Sequence, residues 1–182
     1  MSAMNSPLDA RDGGEKGEAA AAALISDILG GDLVYQHAPG EAPQGIDVLY
    51  HDDGEMHTAE VKSLVGDWHQ SYMSSTVDGR QMDAPWVADR LGRVGIEANP
   101  SDIGAGDSQI HTELFQVDFI GDTIARYDMG LDGRRAESHP SEVYALSDVL
   151  DMHEKASAPE TEAPAAASRE PGESEPSTDG PR

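Results

Sequence analysis

The sequence predicts an α/β domain in which helices flank a small mixed β-sheet. Two observations lead to this fold class. Two pairs of β-rich runs are each joined by a short turn, and the segments around them place apolar residues at helical spacing. The 182 residues are enough for one domain and a tail.

The first elements are predicted to be a helix and a strand. Residues 15–29 combine an alanine run with aliphatic side chains at helical spacing, and the two glycines at 30–31 end the helix. Residues 32–39, DLVYQHAP, are a β-rich run that a proline closes.

Residues 45–64, GIDVLYHDDGEMHTAEVKSL, predict a β-hairpin. Two apolar runs flank a polar turn that contains Asp53 and Gly54, and Asp-Gly is a preferred hairpin turn. Residues 66–80 are polar and are predicted to be irregular.

The second half predicts a helix, another hairpin and a final strand and helix. The first of these helices starts after Asp83 as N-cap and ends before Gly95. Residues 111–129 contain two β-rich runs around a Gly-Asp turn. Residues 141–155 indicate a short strand followed by a helix with Ser147 as its cap.

Composition divides the chain into three parts. Residues 1–14 are predicted to be a flexible N-terminus, and residues 15–155 form the domain. Residues 156–182 consist almost wholly of Ala, Pro, Glu, Ser, Thr and Gly. Without large apolar side chains this acidic tail cannot offset its ordering entropy, so we expect it to be disordered.

Several classes of protein are disfavoured by composition. The chain has no cysteine, which excludes disulfides and cysteine-ligated metals. Its N-terminus lacks a secretion signal, and no segment reaches the roughly 18 apolar residues of a membrane span. We therefore expect no membrane partner and a cytoplasmic location, with delivery to another cell left open.

The net charge of −23 has two explanations. Acidic residues are spread along the chain and only three residues are lysine, a composition typical of halophilic proteins adapted to high internal salt. Alternatively, the protein uses its negative charge, as a mimic of a phosphate backbone would. Scattered charge favours the first explanation, since a mimic should concentrate charge on one face.

Two acids and a lysine lie in the first predicted hairpin. Asp47 begins one strand, and Glu60 and Lys62 lie two residues apart on the other, with side chains on the same face. Pairing around the turn brings Asp47 near them. Carboxylate and carbonyl oxygens suit Mg²⁺ or Mn²⁺, so Asp47, Glu60 and the Val61 carbonyl are candidate ligands. Lys62 would then position or deprotonate a water.

This arrangement resembles the PD-(D/E)xK nuclease superfamily, which has the restriction-endonuclease-like fold. The resemblance rests on a helical acid, Glu18 (with Glu15 as its competitor), on Asp47 in GID, and on Glu60 and Lys62 in AEVKS. The order helix, strand, hairpin, helix is also similar to the core of that fold. The resemblance implies a Mg²⁺-dependent endonuclease in which these acids and the lysine are catalytic.

Residues 79–91, GRQMDAPWVADRL, provide a second similarity. They resemble the G-x-Q-M-[SD]-x-x-W-[IV]-x-x-R-L stretch of nuclease toxin domains from bacterial polymorphic and contact-dependent toxin systems. In those relatives the Gln lies near the active site, which implies a site role for Gln81. The resemblance also implies DNA, or RNA, as substrate and an inhibitor or immunity protein as partner.

Two other functions stay open at this stage. One is a non-catalytic acidic binding protein, an inhibitor or DNA mimic, on a nuclease-like scaffold. The other is a dimeric nuclease for branched DNA, similar in fold to Holliday junction resolvases. The seven histidines lack the tight spacing of a metal motif, so we expect surface histidines or histidines satisfied by neighbours.

Overall fold

The structure is a computed structural model that describes residues 13–37, 45–64, 75–76 and 79–158. The described residues form three α-helices and nine strands. The helices are α1 (Gly13–Leu24), α2 (Ala84–Arg93) and α3 (Leu146–Ser157). The strands are β1 (Asp32–Gln36), β2 (Val48–Asp52), β3 (Glu55–Leu64), β4 (Ser75–Thr76), β5 (Gly79–Arg80), β6 (Ile103–Gly104), β7 (Ile110–Asp118), β8 (Thr123–Asp128) and β9 (Glu142–Ala145).

Seven strands form one mixed sheet, so the predicted mixed α/β class is confirmed. Its order is β1-β2-β3-β7-β8-β9, and β6 pairs with the start of β7. Neighbours are antiparallel except for β3 with β7 and β6 with β7. Parallel strands need a crossover connection, and α2 lies in the crossover from β3 to β7.

Helices cover both faces of this sheet. On one face α1 and α3 pack on a cluster that includes Leu24 and Phe115, and on the other α2 packs on a cluster that includes Leu49 and Trp86. Because both faces are covered, β7 is buried almost throughout, and this includes the polar residues Thr112, Glu113 and Gln116.

The first predicted elements are all present. The helix continues past α1 as a π-helical turn over Ile25–Leu29 and ends at Gly30, whose φ of +74° favours glycine. The β2–β3 hairpin turns at Asp53 and Gly54, both at positive φ, as a two-residue hairpin requires. Asp83 caps α2 by accepting a hydrogen bond from the Trp86 amide at 2.9 Å.

Two local predictions are wrong. Part of the segment predicted to be irregular forms the paired strands β4 and β5, while its remainder lies outside the described residues. Ser147 does not cap α3, which starts one residue earlier. The Asp122 side chain reaches across from the β7–β8 turn and accepts hydrogen bonds from the Ser147 amide and hydroxyl, both at 2.8 Å.

The described residues contain no helix with the length and apolar character needed to span a bilayer. The predicted flexible terminus falls almost wholly outside the described residues, as does the predicted tail after Ala158.

The cap on α3 can be tested by replacing Asp122 with alanine. We expect Asp122→Ala to lower the free energy of unfolding by about 1 kcal/mol more than Asp53→Ala, because N-cap acceptors stabilise by that amount. Both aspartates have positive φ, 54° and 49°, so the second variant controls for backbone strain. Denaturant unfolding measures both values, and equal losses would contradict a capping role for Asp122.

Candidate functional site

Asp47 lies immediately before β2 and faces the far end of β3. Its Oδ2 accepts a hydrogen bond from the Val61 amide at 2.8 Å. Its carbonyl accepts one from the His37 amide at 2.8 Å, which ties it to the end of β1. The preceding residue, Ile46, is buried in the core beneath α2. Asp47 is therefore held through its side chain, its backbone and its neighbour.

Glu60 and Lys62 project from β3 toward the face that α2 covers. Glu60 is only 2% exposed, whereas the Lys62 side chain is 29% exposed. The Lys62 ammonium donates a hydrogen bond to Oε1 of Glu60. The other oxygen, Oε2, is buried and has no hydrogen-bond donor in the part of the chain that the structure describes. The Asp47 carboxyl lies within hydrogen-bonding reach of Glu60. Two buried carboxyl groups this close favour either a shared proton or a bound cation between them.

Gln81 enters the same site from the turn before α2. Its Nε2 donates to Oε1 of Glu60, the oxygen that also accepts from Lys62. The turn is held by the loop at 130–135, where the Leu131 carbonyl accepts from the first amide of α2 at 3.0 Å. Gly133 packs so closely that a Cβ there would lie 2.7 Å from the Gln81 carbonyl.

Burial raises the pKa values of both carboxyl groups in the site, Asp47 and Glu60. Burial, together with the negative charge of Asp47, raises the pKa of Glu60 from 4.5 to about 8. Burial also raises the pKa of Asp47, although the Val61 amide and the charges of Lys62 and His37 oppose that increase. Without a bound metal, Asp47 and Glu60 therefore retain one proton between them near neutral pH, mainly on Glu60. A bound cation would displace this proton.

Four of the predicted site residues come together: Asp47, Glu60, Lys62 and Gln81. The Val61 amide points toward Asp47, and because the N–H and C=O groups of a strand residue face the same neighbour, its carbonyl lies on that side too. This placement is compatible with the predicted ligand role of Val61, which stays a prediction.

Glu18 is half-buried on α1, close to where the helix meets β3. The closest approach is at Gly17, where a Cβ would lie 2.0 Å from Oγ of Ser63, the residue after Lys62. Ser63 alternates with Lys62 and points to the face that α1 covers. Glu18 thus lies near the same end of β3 as the site, but on the opposite face of the sheet from Glu60 and Lys62. Its role there stays a prediction.

Sequence reasoning missed two residues near this site. His37 was expected to be a surface or satisfied histidine, yet its charge lowers the pKa of Asp47. Gln116 on β7 pairs in register with Lys62, so the two side chains share a face. Gln116 is 8% exposed. The sequence carries no signal for either contact, since both depend on strand pairing.

No known protein family, curated protein or solved structure matched this chain. The resemblance to PD-(D/E)xK nucleases therefore rests on the residues and motifs of the chain alone.

The titration of Glu60 predicts how stability changes with pH. Because the folded pKa is raised, folding favours the protonated carboxyl, and this contribution is lost as pH rises from about 4.5 through about 8. Glu60→Gln cannot ionise and keeps an acceptor oxygen for Lys62 and Gln81. In EDTA we expect its Tm to exceed that of the parent by roughly 2–8 °C at pH 9 but to be similar at pH 5.

Thermal unfolding followed by circular dichroism at both pH values measures this difference. Asp128→Asn, at an exposed acid on β8, is the control and should show no such pH-dependent gain. A Tm difference for Glu60→Gln that is the same at pH 5 and pH 9 would contradict the raised pKa.

Proposed function

We propose that this chain is a Mg²⁺-dependent nuclease of the PD-(D/E)xK type that hydrolyses phosphodiester bonds, with DNA as the favoured substrate. One observation carries the proposal: Asp47, Glu60, Lys62 and Gln81 converge at one end of β3, and one oxygen of Glu60 is buried without a partner. The order α1, β1, β2–β3 hairpin, α2 supports it, because this is the order that the resemblance implies.

The donor set fits a hard divalent cation. Asp47 and Glu60 offer carboxylate oxygens, and the Val61 carbonyl adds a neutral one, which suits Mg²⁺ or Mn²⁺ better than softer metals. When bound, such an ion lowers the pKa of a coordinated water and stabilises negative charge on a phosphate.

Lys62 acts as a donor that positions water and phosphate. Its ammonium carries three protons, and one of them is donated to Glu60, which leaves two for an attacking water or a phosphate oxygen. Because its Nζ is held against Glu60, we favour positioning of the water and charge stabilisation as the role of Lys62.

Gln81 would orient the site by fixing Oε1 of Glu60, which leaves Oε2 as the oxygen that could hold a cation. Any help from Glu18 would have to come around the end of the sheet, because α1 covers the opposite face. Hydrolysis forms a bond between the water oxygen and phosphorus, and the bond from phosphorus to the leaving ribose or deoxyribose oxygen breaks.

The acidic surface determines the salt dependence. A net charge of −23 repels a polyanion, and added salt screens this repulsion. We therefore expect cleavage to persist or increase toward molar KCl, in contrast to basic nucleic-acid-binding proteins, whose affinity falls steeply with salt.

Cleavage of plasmid DNA, branched DNA and RNA with Mg²⁺ or Mn²⁺ tests the proposal across low to molar KCl. We expect Asp47→Asn and Lys62→Met each to reduce the cleavage rate by about 100-fold or more, because they remove a cation ligand and a transition-state donor. EDTA should abolish cleavage. The controls, Asp128→Asn and Lys155→Met, change an exposed acid and an exposed lysine and should retain activity.

Failure of the folded parent protein to cut any of these substrates at any salt would overturn the nuclease proposal. The alternative is then a non-catalytic acidic protein, an inhibitor or DNA mimic, whose net charge suits a basic protein partner. Such a protein would bind its partner with strong salt dependence and would tolerate both substitutions. Preference for branched DNA would instead indicate a resolvase-like nuclease.

Gln116 offers a variant that separates activity from stability. Gln116→Leu replaces a buried amide with an apolar side chain of similar size, so it should leave the free energy of unfolding unchanged or raised. We expect the same variant to cut DNA about 10-fold more slowly, because Gln116 lies beside Lys62 where a phosphate would bind. Unchanged cleavage would show that Gln116 is a buried structural residue with no role in cleavage.

A further inference from the structure

A second polar cluster lies on the opposite face of β3 and near its beginning. Its three members, Glu55, His57 and His111, are called the histidine cluster here. His57 and His111 are directly paired on the parallel strands β3 and β7, and their rings stack with centroids 4.7 Å apart. Nε2 of His111 lies 2.9 Å from the Glu55 carboxylate. One ligand atom from each residue falls within 4.8 Å of the others.

The buried Glu113 orients the ring of His57. Nδ1 of His57 lies 3.1 Å from Oε1 of Glu113. The same carboxylate accepts hydrogen bonds from the Tyr50 hydroxyl and the Arg126 guanidinium, so donors surround it. With Nδ1 turned toward Glu113, Nε2 is the ring nitrogen that is left to bind an ion.

This arrangement matches the outer sphere of many metal sites. A metal-binding histidine commonly donates its other ring N–H to a carboxylate, which orients the ring and makes the ligand more basic. Glu113 occupies that position for His57 and is itself held by Tyr50 and Arg126. His57 is 7% exposed, so its ring is held in place by the surrounding structure.

The cluster is open on its outer side. The side chain of Glu55 is 63% exposed and that of His111 is 19% exposed, so an ion can enter from solvent. A tetrahedral ion with ligands at about 2.0 Å needs donor atoms roughly 3 Å apart, so binding requires the Glu55 carboxylate and the His111 ring, which are both partly exposed, to turn toward His57. The ion would take the place of the present contact between Glu55 and Nε2 of His111.

We propose that Glu55, His57 and His111 bind a transition-metal ion of the Zn²⁺ class, with Glu113 as the carboxylate that orients His57 and a fourth position open to water. Two imidazoles and one carboxylate suit Zn²⁺, Ni²⁺ or Co²⁺, whereas Mg²⁺ prefers oxygen ligands alone. The ion would join the beginnings of β3 and β7.

This proposal is independent of the proposed nuclease site. His57 and Glu60 are three residues apart on one strand and therefore face opposite sides of the sheet. The two sites also differ in their ligands, so they can be loaded and disabled separately.

Zinc titration of EDTA-treated protein without a histidine tag tests the site. Calorimetry or a chromophoric competitor gives the affinity and stoichiometry, for the full chain and again with Asp47→Asn, which disables the carboxylate pair. We expect one Zn²⁺ to remain bound in Asp47→Asn and its Tm to rise by several degrees with Zn²⁺. Adding Glu55→Gln should weaken binding at least about 10-fold, and adding His111→Ala should weaken it further.

His51→Ala is the matched control, because His51 is an exposed histidine on the adjacent strand β2. It should bind Zn²⁺ as tightly as its parent. Glu55→Gln changes an exposed side chain and is expected to fold, so its result counts even if His111→Ala is unstable. Zn²⁺ binding that Glu55→Gln and His111→Ala leave unchanged, or no binding to Asp47→Asn, would overturn the proposal.

Discussion

The two-residue turn at Asp53 and Gly54 sets the register of the β2–β3 hairpin, and the assembly of the carboxylate pair depends on that register. It places Asp47 beside the Val61 amide and directs Glu60 toward α2. The same register directs His57 toward the other face. A slip of one residue would exchange the two faces, bury the wrong side chains and separate Asp47 from Glu60.

Two buried glutamates on this sheet illustrate how surroundings determine charge. Glu113 is 1% exposed but accepts hydrogen bonds from Tyr50 and Arg126, and the pKa of its carboxyl is lowered. Glu60 is 2% exposed, and burial and Asp47 raise the pKa of its carboxyl to about 8. Glu113 has hydrogen-bond donors on both oxygens and serves the structure. Glu60 has donors on only one oxygen, and a buried carboxyl with a raised pKa is typical of functional sites.

The sequence predicts local structure well and pairing across the chain poorly. Asp47 and Glu60 were placed together because both lie in one hairpin, where alternation and the turn determine the geometry. The stacking of His57 on His111 arises from a parallel pairing between distant segments, for which no short motif exists. The cap of α3 was missed for the same reason, since its acceptor, Asp122, belongs to an earlier turn.

The placement of cations limits how a nucleic acid could be attracted. Lys62 pairs with Glu60, Arg126 pairs with Glu113, and Arg135 lies over an aromatic ring, 4.0 Å from its centroid. Cations committed to such contacts contribute little to the release of counterions that drives binding of most nucleic-acid-binding proteins. In the proposed nuclease, a divalent ion at the carboxylate pair would reverse the local charge there and attract a phosphate. Metal binding would then serve substrate capture as well as chemistry.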